Sequence, residues 1–128
     1  MQIFSESLAA SLLDSNTLGV LKEFELVDEE TSFLDEVIEA FGVETPALIE
    51  ALNCALRAKD VSGILFYAHQ LKGLCSNVGV KRLALLCGSI EEYFALIPSD
   101  NTSEIEFFVR DTYENSMKEL QSNWKRGS

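Results

Sequence analysis

DVSGILFYAHQLKGLCSNVG, residues 60–79, is the stretch that decides the fold. At about 100° per residue, Val61, Ile64, Leu65, Ala68, Leu71, Cys75 and Val78 fall within an arc of roughly 140° on one side of a helix. Asp60 is a ready cap for its first turn, and Gly79 stands where a left-handed C-terminal cap belongs. The spacing therefore predicts an amphipathic helix from Val61 to Val78 with that arc as its core face.

Outside the arc lies a second stripe: Ser62, His69, Gly73 and Ser76, with Phe66 on its outer border and Lys72 between it and the core. Glycine inside a helix costs about 1 kcal/mol relative to alanine. Here it sits one turn from the only histidine of the chain. The positions that would shield the imidazole are small, Leu65 excepted, and Leu65 points coreward. A histidine kept only for packing needs no such clearance, so the pattern predicts an approachable ring with an ammonium group in reach.

Outward from this helix, the apolar spacing stays helical and no segment alternates as a strand would. Residues 4–13 form a short amphipathic helix closed by Asp14 and Ser15, and a second short helix carries Leu18, Leu21 and Phe24. A long stripe of Leu34, Val37, Ile38, Phe41, Leu48, Leu52 and Leu56 predicts a helix starting near Thr31, with Asp28 or Thr31 as its cap. Pro46 removes one backbone donor and crowds the carbonyl of Gly42, so one long helix kinked there is expected in preference to two. Lys59 and Asp60 mark a turn. Residues 81–96 carry Leu83, Leu86, Ile90 and Phe94 inward, and Pro98 stops them. After the polar loop PSDNTS, residues 103–124 form the last helix, striped by Ile105, Phe108, Thr112, Leu120 and Trp124. Short connections make antiparallel neighbours. The expected fold is thus all-α, an up-down antiparallel four-helix bundle over residues 30–125, preceded by short helices within residues 4–26, the whole chain forming one domain.

Bulk composition narrows the function. The net charge of −11 over 128 residues argues against nucleic acid or an anionic membrane as partner, since both need clustered Lys and Arg. No apolar run reaches the ~18 residues of a membrane span. The start, MQIFSESLAASLLDS, lacks a basic n-region, so it does not read as a signal peptide, and the chain reads as complete and cytoplasmic. Cys54, Cys75 and Cys87 include no CxxC pair and have one histidine to join, which excludes the usual zinc sites; they read as reduced, small apolar side chains.

A single histidine also restricts the chemistry. There is no second imidazole for a metal, no glycine-rich phosphate cradle and no GxSxG. A solvent-facing imidazole is largely neutral at neutral pH, so one ring nitrogen keeps a lone pair and can attack an electrophile. A neighbouring lysine would steady anionic oxygens on the incoming group.

His69-Gln70-Leu71-Lys72-Gly73, followed by five residues and Gly79, resembles the HxLKGxxxxxG signature of histidine phosphotransfer (HPt) domains. FLDEVIEAFGVETPALIEALNCALRAKD upstream and LALLCGSIEEYF downstream are similar to the helices flanking the histidine helix in that family, so the resemblance covers about residues 28–96. Leu74 and Cys75 depart from it, standing where many members have serine or alanine.

The resemblance implies that His69 accepts the phosphoryl group through Nε2, that Lys72 helps hold the phosphoryl oxygens, and that Gln70 offers a polar contact. Gly73 would leave room for the incoming domain, with Ser62, Phe66 and Ser76 on the docking surface and Leu71 and Gly79 as structural positions of the motif. It implies reversible transfer between receiver aspartates: from the receiver domain of a hybrid sensor kinase to His69, then to a downstream response regulator. No cofactor is expected in this chain, because the Mg²⁺ belongs to the receiver, and neither autokinase activity nor a metal site is expected. The chain is expected to be a monomer. Two other readings stay open: a phosphotransfer piece of a larger kinase, and a non-catalytic helical adaptor that binds receivers or other signalling proteins. A helical small-molecule binder is a weaker third.

Overall fold

The computed structural model describes residues 2–24, 32–98 and 100–125, and these are helical with no strand among them. A 3-10 turn, Gln2–Phe4, leads into α1 (Ser5–Ala9); α2 spans Ser15–Lys22, α3 Phe33–Ala58, α4 Val61–Val78, α5 Lys81–Tyr93 and α6 Ser103–Asn123. A second 3-10 turn, Phe94–Leu96, ends α5. Around the core, α3 packs on α4, α4 on α5, α5 on α6 and α6 on α3. Leu34, Ile38, Phe41, Leu52, Leu56, Ile64, Leu71, Leu83, Leu86, Ile90, Ile105 and Leu120 are buried between them. No helix of the described residues is long and apolar enough to cross a membrane.

Side-chain caps set several boundaries. Asp60 accepts from the Gly63 N–H at 3.2 Å and starts α4. Ser32 accepts from the Asp35 N–H at 3.0 Å and starts α3; the caps expected at Asp28 and Thr31 lie outside the described residues. Asp14 closes nothing. It caps α2, accepting from the Asn16 and Thr17 N–H groups, and the Thr17 contact chiefly holds its carboxyl below the usual range.

α3 is one helix of 26 residues running through Pro46. Proline has no N–H to give the carbonyl four residues back. The Tyr113 hydroxyl of α6 donates to that carbonyl, Gly42 O, at 3.4 Å, a long bond that still gives the oxygen a partner.

Three expectations shift. The first helix ends at Ala9, not at residue 13, because the following backbone bonds elsewhere: Ala10 O accepts from Arg82 Nε, Leu12 O from the Arg82 N–H, and the Asp14 N–H donates to Gly79 O. Phe24 lies beyond the end of α2 and is exposed, meeting Phe33 edge-on. The buried face of α4 is rotated toward α3. Gly63 is buried there, where a Cβ would come within 3.1 Å of the Ala55 Cβ, and Tyr67 and Leu74 pack on the core. Val61 is consequently 44% exposed and Leu65 only half-buried. Cys75 and Cys87 are buried as small apolar groups, and burial pushes the Cys87 thiol up to about 12; Cys54, by contrast, is exposed.

Candidate functional site

His69 stands on the outer face of α4, two-thirds exposed. Ser62, Phe66, Gln70, Gly73 and Ser76 are exposed on the same helix, while Leu71 is fully buried. Phe66 meets Tyr67 edge-on yet remains 57% exposed, so it is not ordinary core packing against α3. A Cβ built on Gly73 would meet nothing within 4 Å. No neighbour among the described residues requires glycine there.

Gly79 is required twice over. Its φ of +92° is a backbone state that other residues enter only with strain. A Cβ there would also lie 3.2 Å from both Leu18 and Thr17, so α2 packs directly on the turn that ends α4.

The residue that organises the site comes from the next helix. Glu91 of α5 lies with one carboxylate oxygen, Oε2, 3.0 Å from His69 Nδ1, and with the other, Oε1, accepts from Lys72 Nζ at 2.7 Å. The hydrogen bond from Lys72 holds the Glu91 carboxyl below the usual glutamate range, against a smaller opposing effect of burial, and the hydrogen bond to His69 lowers it further. An ionised carboxylate has no hydrogen to donate. The Nδ1 nitrogen must therefore carry the proton and donate it to Glu91, which leaves the lone pair of a neutral ring on Nε2.

Lys72 stands one turn after His69 on α4. Its stem lies against α5 at Gly88, where a Cβ would come 3.4 Å from Lys72 Cδ. A Cβ at Gly88 would make only ordinary van der Waals contact with that stem, so the crossing of Lys72 to Glu91 does not depend on glycine there. Lys72, which the sequence pattern places within reach of the imidazole, has one of its three N–H groups committed to the carboxylate. Glu91 was missed by sequence reasoning. The only signal was Glu91 at the edge of the α5 apolar face, and that becomes legible only once α5 is known to lie on the Lys72 side of α4.

The cluster is a shallow surface site, an imidazole two-thirds exposed with a carboxylate on its Nδ1 and a cation sharing that carboxylate. No group of three or more His, Cys, Asp or Glu able to hold a metal occurs among the described residues. The family model described as Hpt domain matches residues 36–123, more than half of the chain. Comparison with curated proteins and with solved structures returned no match.

Proposed function

The chain belongs to the Hpt domain family, the histidine phosphotransfer modules of two-component signalling, and from that premise we propose that His69 Nε2 is its phosphoacceptor. In the forward step Nε2 attacks the phosphorus of a receiver's aspartyl phosphate. The N–P bond forms as the P–O bond to the aspartate breaks, and the aspartate leaves as a carboxylate. The ring, still protonated at Nδ1, gains positive charge, which ionised Glu91 opposes at 3.0 Å. The reverse attack by a second receiver's aspartate returns the ring to its neutral state. Lys72, tethered by one donor, keeps others for the phosphoryl oxygens. Gln70 would add a polar contact, and Ser62, Phe66, Gly73 and Ser76 would meet the receiver.

The single observation that carries this reading is the bond between Nδ1 and Glu91, because it leaves an outward, unprotonated Nε2. The wider reading is a phosphorelay intermediate: a one-domain, monomeric, up-down antiparallel bundle in the cytoplasm, between the receiver of a hybrid kinase and a downstream regulator. The short turns at residues 59–60 and 79–80 favour that helix order. Magnesium would be supplied by the receiver.

The test is incubation with a phosphorylated receiver and Mg²⁺, followed by assay of acid-labile, base-stable phosphate on this chain. Wild type should take the label and His69→Gln should not. Labelling that persists in His69→Gln would remove His69 from the mechanism.

A further inference from the structure

The His69 side chain is two-thirds exposed, so water has access to the ring. A phosphoryl group on Nε2 then has two fates, transfer to an aspartate or capture by water. In both, the N–P bond breaks and Nε2 keeps its electron pair. The other nitrogen decides how easily that happens. With Nδ1 protonated the ring departs as neutral imidazole; with Nδ1 bare it must depart as imidazolate, a far poorer leaving group. The acid lability and base stability of phosphohistidine follow from this difference.

On this chain Nδ1 faces the Glu91 carboxylate at 3.0 Å. Loss of the Nδ1 proton would set a lone pair against an anion, so the contact opposes that loss. Lys72 donates to the other carboxylate oxygen at 2.7 Å and keeps Glu91 ionised. Cys87, one turn before Glu91 on α5, is buried and its thiol is pushed up to about 12, so it adds no charge. Glu92 on α5 and Glu6 on α1 are exposed, and neither makes an ion pair with a described residue. α3 also packs on α4, and its Arg57, Glu50 and Glu39 pair with Glu106, Arg110 and Lys125. α2 packs at the Gly79 turn, about 15 Å along α4 from His69. The 3-10 turn Phe94–Leu96 carries no titratable side chain.

We propose that Glu91 limits the lifetime of the phosphoryl group on His69: by holding the Nδ1 proton it keeps the phosphorylated ring in its labile form into mildly alkaline solution, and water removes the group wherever no receiver takes it. The inference rests on the phosphotransfer reading and adds a self-resetting step to it. Water attacks phosphorus, and its P–O bond forms as the N–P bond breaks. Both water protons leave with the inorganic phosphate, and His69 returns neutral, still protonated on Nδ1. Glu91 acts through the ring and is a positioning residue. An opposite charge in contact shifts a proton equilibrium by about one to three pH units; on an exposed ring whose carboxylate is shared with lysine, about one unit is expected.

The test uses phosphoramidate, a small donor that labels the ring without a receiver. After its removal, loss of the phosphoryl group from the intact chain is followed by ³¹P NMR from mildly acidic to alkaline pH, beside the ¹⁵N shift of Nδ1 in the same samples. In wild type, the fall in hydrolysis rate and the loss of the Nδ1 proton should come about one pH unit higher than in Glu91→Gln, so that in mildly alkaline solution the variant keeps its phosphoryl group about tenfold longer. Glu92→Gln removes the adjacent charge of the same helix and should match wild type. Labelled wild type unfolded in urea is a second reference and should titrate lower than the folded chain. A wild-type profile equal to that of Glu91→Gln or of the unfolded chain, or an equal displacement by Glu92→Gln, overturns the inference, while label on His69 keeps the phosphotransfer reading standing. Failure of phosphoramidate to label wild type, or label retained in His69→Gln, overturns that reading and the inference with it.

Discussion

Of the two ring nitrogens of His69, Nδ1 bonds Glu91 and Nε2 makes no hydrogen bond with a described residue, so one carboxylate sets which nitrogen keeps the lone pair. Glu91→Gln keeps the size and an acceptor oxygen but removes the charge. Transfer to and from a receiver should slow by about tenfold or more, as for other partners that orient a reactive imidazole. The ¹⁵N shifts of the ring should move from a single tautomer to a mixture, which a purely structural role would leave unchanged. The carboxylate also links stability to pH. Its folded-state pKa lies below the ordinary 4.5, so its contribution is complete above that value and is lost as pH falls through the depressed one. The melting difference between wild type and Glu91→Gln should therefore hold near neutral pH and vanish in stronger acid; a difference that persists there would contradict the pairing. Gly73 makes the opposite kind of prediction. With nothing within 4 Å of its missing Cβ, Gly73→Gln should leave the fold intact and stabilise it by a few tenths of a kcal/mol through helix propensity, about half a kcal/mol at most. Transfer from a receiver should nevertheless slow, and an unchanged rate would show that the clearance is not used.

Among the helices, α4 and α5 are coupled through the turn that joins them. Gly79 holds φ at +92°, its N–H donates to Cys75 O at 2.9 Å, and its carbonyl accepts from the Asp14 N–H at 2.8 Å. The cap of α4, the entry to α2 and the start of α5 thus meet at one residue. Gly79→Ala must bear a strained φ and press its Cβ against Leu18 and Thr17, so it should cost more than about 1 kcal/mol. Chemical denaturation checks this, and equal stability would refute the double requirement. Lys59 ends α3 in the same left-handed state, at φ 55°, and its ammonium donates to Ile97 O at 2.7 Å, tying the α3–α4 turn to the segment after α5. These ties hold α4 beside α5 and so keep His69 opposite Glu91.

For the molecule as a whole, a net charge of −11 makes the compact state self-repelling at low ionic strength. Raising salt from about 10 mM to about 150 mM shortens the screening length from about 30 Å to about 8 Å, so the melting temperature should rise. A fall would mean that attractive pairs such as Lys125–Glu39 and Arg57–Glu106 outweigh the repulsion. The all-helical character, the span of α4, its caps at Asp60 and Gly79 and the exposed histidine stripe were determined by the sequence alone. Periodicity and capping act over three or four residues and need no knowledge of neighbours. The end of α1 at Ala9, the rotation that buries Gly63 and exposes Val61, and the pairing of His69 and Lys72 with Glu91 were decided only by the tertiary structure. Each depends on which helix lies against which face, and that contact joins groups 19 to 22 residues apart at the site and 72 apart where Arg82 bonds Ala10. A helix wheel can say that a ring faces outward; it takes the neighbouring helix to say which of its nitrogens is free.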